Sequence, residues 1–173
     1  MGYTHYFSIR NPDAINEARW LQIIAATRQL LHALPPHSHS AGGFYAEDPL
    51  QVYNGGIPVK PGAYLSEDPA VIRLGGAPGL TGSVFNVHTK LQGEQCCETQ
   101  RMPYDLVVCG VLTVIANLAP GWLRILSDGE EEEWEPALSW VRETLGERFQ
   151  SPLRPRHEWM LELLGGDAVP EWF

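Results

Sequence analysis

Residues 95–105 read QCCETQRMPYD, and they lead straight into the apolar run LVVCGVLTVIANLAP. Two thiols, two carboxylates, a guanidinium and several hydroxyl and amide groups thus stand at the mouth of one of the greasiest segments of the chain. Three chemistries fit that composition. In the first, a helix opens at Pro103 behind Met102, which is a poor N-cap, so backbone N–H groups at its start lack a side-chain partner. Such a terminus attracts anions; Arg101 adds a forked cation, and Thr99 and Gln100 add hydrogen bonds, which together suit a phosphate or carboxylate. The competing structural reading has Asp105 answering the helix dipole and Arg101 pairing with Glu98 or Asp105.

The second chemistry is a thiol nucleophile, Cys96 or Cys97, activated by His5 or His88. No glycine-flanked nucleophile and no fixed histidine spacing marks it, and inert buried cysteines are far commoner. The third is a zinc site made from His37, His39 and the cysteine pair, since imidazole and thiolate suit zinc. The CxxC and HxxxH spacings are absent, and PPHSHSAGG reads as a loop. Elsewhere, Asn86, His88 and Lys90 share one strand face that would serve equally as a ligand floor or an ordinary solvated surface. Arg124 and Asp128 pose the same choice on a later strand.

The elements that must position these groups are legible in part. YTHYFSIR alternates as a strand, with Tyr3, His5, Phe7 and Ile9 on one face and Thr4, Tyr6 and Ser8 on the other. Asn11, Pro12 and Asp13 then open a helix running to about Leu34, with Trp20, Leu21, Ile24, Leu31 and Leu34 at helical spacing, and Pro35-Pro36 stops it. Residues 35–82 are rich in Pro, Gly and Ser, with short strands expected at 51–54 and 71–74; a stretch this irregular is often a binding loop. SVFNVHTKL is a strand packing Phe85, Val87 and Leu91. PYDLVVCGVLTVIANL is a helix apolar nearly all round, hence buried on most sides. WLRILSD is a strand with Leu123 and Ile125 inward. EEEEWEPALSWVRETLGE is a helix with its acids at the N-terminus, where the dipole favours them, and with Pro136 in its first turn. RHEWMLELL is a last short helix. The expected fold class is α+β: one domain over 1–173, with a mixed or mainly antiparallel sheet, three to four helices largely on one side, and a long irregular loop region at about 35–82.

Composition narrows the function classes. Apolar residues make up 44% and charged residues 19%, which suits a globular chain. The net charge is −9, so an extended nucleic-acid surface is not expected. Glu130 to Glu133 carry four of the acids, which leaves room for a local basic pocket. The longest apolar stretch, Leu106 to Ala119, is too short to span a bilayer, and the opening residues lack an apolar leader. Three cysteines without a pairing framework fit a reducing cytosol.

With MGYTHYF at the start, CETQRMPYDLVV in the middle and ILSDG followed by Trp134, the chain resembles a family of small phage- and prophage-associated proteins of uncharacterised function. Members begin GYTHY and carry an Asn-Gly after a short strand. They also carry a Cys-x-Thr-x-Arg-x-Pro-Tyr-Asp segment before an apolar helix and a Ser-Asp-Gly after a strand. The matching positions here are Gly2 to Tyr6, Asn54-Gly55, Cys97, Thr99, Arg101, Pro103 to Asp105, and Ser127 to Gly129. The family pattern has Lys between the Cys and the Thr; this chain has Glu98. The resemblance implies a viral or mobile-element setting in the cytoplasm of a host cell, where small acidic proteins antagonise defence.

The expectation is therefore a non-catalytic protein that sequesters a small anionic ligand such as a signalling nucleotide, without a cofactor, a metal or a membrane. Its expected ligand-binding residues are Tyr3, His5, Tyr53, Asn54, His88, Thr99, Arg101, Tyr104, Asp105 and Asp128, the tyrosine rings stacking a base and Arg101 meeting the anion. One alternative is an acidic module that blocks a host protein with the Glu130–Glu133 face. Another is a small hydrolase or transferase using Cys97 or His88 with Asp105 or Asp128. Tyrosine-rich strand edges would suit a homo-oligomer.

Overall fold

The computed structural model describes residues 2–38, 50–54, 57–58 and 68–153. Two antiparallel sheets and three α-helices make up those residues, an α+β fold. The three-stranded sheet has the order β6-β1-β7, from β1 (Thr4–Ile9), β6 (Glu94–Glu98) and β7 (Leu123–Ser127). The four-stranded sheet has the order β3-β2-β4-β5, from β2 (Val52–Asn54), β3 (Ile57–Pro58), β4 (Val71–Gly76) and β5 (Phe85–His88). The helices are α1 (Glu17–His32), α2 (Asp105–Leu118) and α3 (Glu131–Leu145).

Strand β1 lies at the centre of its sheet and follows the expected alternation: Tyr3, His5 and Phe7 are buried, while Thr4, Tyr6 and Ser8 stay partly open. Register carries that alternation to both neighbours. His5 faces Cys97 on β6 and Ser127 on β7, and Tyr6 faces Cys96 and Leu126. Directly opposed residues on paired strands point to the same side, so His5, Cys97 and Ser127 form one row on the inner face. The two sheets meet where Phe7 packs on Phe85, with ring centroids 5.6 Å apart, and where Ser83 N–H donates to the Glu98 carbonyl at 2.7 Å.

Strand β6 is absent from the sequence expectation. EQCCE has no apolar alternation, and only Cys97 in it is buried; pairing with β1 from Thr4 to Ser8 makes it a strand despite weak intrinsic preference. The first helix also differs from expectation. Asn11 does cap, accepting from Asp13 N–H at 3.0 Å, but only a 3₁₀ turn over Pro12–Ala14 follows. Ile15 is extended, and a second cap, Asn16, accepts from Arg19 N–H at 2.9 Å and starts α1. The buried face of α1 is Trp20, Ile23, Ala26, Thr27, Leu30 and Leu31, so Leu21, 59% exposed, lies off the core stripe.

Helix α2 begins at Asp105 rather than Pro103, with Tyr104 as its N-cap residue, and is buried without a break from Asp105 to Ile115. Gly110 permits its close approach to α3, because a Cβ there would lie 2.9 Å from the Trp140 ring. Helix α3 is opened by Glu130 and Glu133, whose side chains and backbone cap each other reciprocally. Pro136 sits inside this helix rather than in its first turn, where it removes the N–H that would reach the Glu132 carbonyl on an exposed turn. The expected helix RHEWMLELL and residue His39 lie outside the described residues. No helix among the described residues is long and apolar enough to cross a membrane.

Candidate functional site

Three chain segments converge at the end of the three-stranded sheet: the start of β1, the turn from β6 into α2, and the turn from β7 into α3. At their meeting point His5 is fully buried. Its Nε2 lies 2.7 Å from Asp105 Oδ1 and its Nδ1 lies 3.0 Å from the Ser127 hydroxyl. Ser127 Oγ also accepts from Gly129 N–H at 2.9 Å and from Trp134 Nε1–H at 3.3 Å. His5 thus spans the cluster, with one ring nitrogen on a carboxylate and the other on a hydroxyl. Thr99 O–H donates to the same carboxylate oxygen, and the Cys109 thiol lies 3.8 Å from the other one, Oδ2.

Packing closes this cluster. The rings of Tyr3 and Trp134 stand edge-on to the His5 ring, with centroids 5.2 and 5.1 Å away. Gly129 has to be glycine here, because a Cβ would lie 2.1 Å from the Tyr3 hydroxyl. Burial, followed by the Asp105 charge, pushes the Cys109 thiol well above its ordinary pKa, and the same two causes raise the Tyr3 phenol. Burial pushes Cys97 up to about 12. Both buried thiols are therefore held as neutral S–H groups, the opposite of what an activated nucleophile needs.

Arg101 covers the cluster from outside. Its guanidinium carbon sits 4.1 Å from the Tyr3 ring centroid, and its Nε donates to Glu133 Oε1 at 2.8 Å. The ion pair therefore joins Arg101 to Glu133, not to Glu98 or Asp105. Gln100 and Arg101 both adopt left-handed backbone, with φ of 55° and 56°. Two successive non-glycine residues in that region are uncommon and store strain.

Of the residues expected to bind a ligand, Tyr3, His5, Thr99, Arg101 and Asp105 come together in this way, and Asp128 stands beside them, accepting from Thr4 N–H at 3.0 Å. Others lie elsewhere. Tyr104 sends its hydroxyl to the Ser83 carbonyl at 2.7 Å, at the junction of the two sheets. Tyr53 and Asn54 lie on β2, and Tyr53 O–H donates to Gln51 Oε1 at 3.2 Å. On β5, His88 Nδ1 accepts from Lys90 N–H at 2.8 Å and Nε2 lies 3.9 Å from Asp68. The Cys97 thiol turns to the Ser83 carbonyl at 3.6 Å. Cys97 and His88 thus spend their polar atoms on separate partners and form no nucleophile–base pair.

Sequence reasoning missed Ser127 and Cys109 as members of the cluster. Cys109 follows Asp105 by four residues, so helix periodicity alone places both on one face of α2. Ser127 carried only the weak signal of its place in Ser-Asp-Gly. Reaction geometry is suggested by the line Ser127–His5–Asp105, a hydroxyl, an imidazole and an orienting carboxylate. The hydroxyl lies inside the closed cluster, however, and already accepts from Gly129 N–H and Trp134 Nε1–H. In this arrangement the line braces three segments against one another.

An open cavity of about 710 Å³ lies along the free edge of β7, and its wall includes Tyr6, Arg10, Asn117, Arg124, Asp128 and Gln150. Tyr6 and Arg124 belong to the outer face of the same strands whose inner face holds the cluster, and Ser127 reaches both. The far wall is pinned: Asn117 Nδ2 donates to the Gln150 carbonyl at 2.9 Å and its Oδ1 accepts from Gln150 N–H at 3.0 Å. Arg124 is exposed and makes no hydrogen bond or ion pair among the described residues. Compared with known proteins, the chain matches no family model, no curated protein and no solved structure.

Proposed function

We propose that the chain is a non-catalytic binding protein that captures a small anionic ligand, such as a signalling nucleotide, in the cavity beside β7. The reading rests on Arg124, a guanidinium without a partner among the described residues, set in a cavity wall with Tyr6. A guanidinium is a forked donor for phosphate or carboxylate, and a phenol ring gives a flat surface for a base. The burial of the inner cluster beneath Tyr3 and Trp134 supports capture over turnover. Resemblance to phage and prophage proteins supports the setting, a mobile element acting in a host cell, in which removing a small signal disarms a defence.

A capture-and-release experiment tests this reading. Purified protein is incubated with a panel of linear and cyclic nucleotides, washed and heat-denatured, and the released molecules are weighed. An unchanged nucleotide is expected, retained by Arg101→Ala and reduced at least about tenfold in Arg124→Ala, the loss of one charge-assisted contact. A nucleotide returned as product would replace the reading with catalysis. A second reading draws on Asp128, Glu130, Glu131 and Glu132, all exposed on the same cavity wall, as an acidic face that blocks a basic protein surface. Nothing returned from the panel, together with a protein partner lost on Glu131→Lys, would favour it.

A further inference from the structure

We propose that His5, Asp105 and Cys109 form a binding site for a divalent transition-metal ion of the zinc type, inside the closed cluster. The three side chains offer imidazole, carboxylate and thiolate, the donor set that suits zinc and cobalt. Their ligand atoms all lie within 4.8 Å of one another, and all three residues are buried. Two of the three come from successive turns of α2, four residues apart, so the helix itself fixes their spacing. The third arrives from the middle strand of the sheet.

The two edges to sulfur are close to those of a bound ion. Bonds of about 2.0 Å to nitrogen or oxygen and about 2.3 Å to sulfur, in a tetrahedron, put an N···S or O···S edge at about 3.5 Å. The Cys109 sulfur stands 3.7 Å from His5 Nε2 and 3.8 Å from Asp105 Oδ2. Coordination through Oδ2 leaves Oδ1 to keep the Thr99 hydroxyl. Coordination through Nε2 leaves Nδ1 facing the Ser127 hydroxyl at 3.0 Å, an outer partner of the kind that orients a metal-bound imidazole.

Charge supplies the second argument. Asp105 is a buried acid that meets only His5, Thr99 and Cys109, with no lysine or arginine bonded to it, and a buried carboxylate is costly without a close cation. A divalent ion replaces the thiol proton, so one proton leaves for each metal bound. The resulting ion, thiolate and carboxylate sum to zero. A structural role follows, with the metal tying β1 to α2.

The test adds cobalt(II) to chelator-treated full-length protein and follows the near-ultraviolet absorption of a cobalt–thiolate bond, with the metal-to-protein ratio by native mass spectrometry. One cobalt per chain with a thiolate band is expected. The band should survive Cys97→Ser and Cys96→Ser and disappear in Cys109→Ser. No uptake by the wild-type protein, or uptake with the same band in Cys109→Ser, overturns the proposal. Should Cys109→Ser fail to fold, the wild-type protein still decides it: the release of one proton per cobalt, with the thiolate band, sustains the site, and cobalt bound without either refutes it.

Discussion

The two sides of the pair β1–β7 are made from alternate residues of the same strands, and they differ in almost every physical respect. On the inner side His5, Asp105, Thr99 and Ser127 share one hydrogen-bond network, roofed by Tyr3 and Trp134. On the outer side Tyr6 and Arg124 face an open cavity, and Arg124 has no partner among the described residues. Polar groups that are already paired and dry hold a structure together, because an unpaired one there would be costly. Polar groups that are unpaired and wet remain available to a ligand. The residue types that looked most reactive in the sequence belong mostly to the first kind.

The sharpest way to break that comparison is to remove one charge from each side. Asp105→Ala strands His5 Nε2 and the Thr99 hydroxyl in the core, so a loss of about 3–5 kcal/mol is expected in urea unfolding. Arg124→Ala removes an exposed side chain and should stay within about 0.5 kcal/mol of the parent. Equal losses from the two would erase the distinction between a brace and a binding surface.

Alkaline pH sharpens the same contrast through the thiols. Burial raises Cys97 from 9.0 to about 12, so the unfolded chain loses this proton at lower pH than the folded one. The stability is therefore whole below pH 9 and falls as pH rises toward the folded value, by about 1.4 kcal/mol per pH unit. Urea midpoints measured at about pH 8 and about pH 10 should show roughly 1.4 kcal/mol more loss in the parent than in Cys97→Ser, whose hydroxyl does not titrate there. A parent slope matching Cys97→Ser would mean that Cys97 is far more open to water than its place against the Ser83 carbonyl implies.

How much of this was legible follows from which forces acted. Strands β1 and β7 were readable because their apolar residues alternate and that face is the one buried, and helix α2 because its apolar run is too long for a strand. Strand β6 was not, since EQCCE carries no pattern and is made a strand by its neighbour. The break at Ile15 was hidden because Asn11, Pro12 and Asp13 form a sound helix start that a second asparagine then repeats. At the site, the types His5, Thr99, Arg101 and Asp105 were legible, but their meeting depends on register between strands far apart in sequence. The cavity was legible only as the open choice at Arg124 and Asp128, since nothing in the sequence set Tyr6, Asn117 and Gln150 around them.

The smallest effect concerns the turn that joins the two worlds. Gln100 and Arg101 hold φ near 55° although neither is glycine, and each such residue costs about 1–2 kcal/mol. Glycine at position 100 relieves that cost but loosens the unfolded chain, which takes back about 0.5–1 kcal/mol. Gln100→Gly should therefore gain up to about 1 kcal/mol over the parent, while Gln100→Ala, with the strain kept, should gain nothing. The side chain contributes little to the difference, because its bond to Glu98 is long at 3.3 Å and exposed. If Gln100→Gly is instead destabilising, the left-handed pair is held at no cost and the turn is an unstrained part of the brace. If it stabilises as expected and nucleotide retention does not change, the strain serves only to seat Arg101 on Tyr3, and the ligand contacts lie on the β7 side.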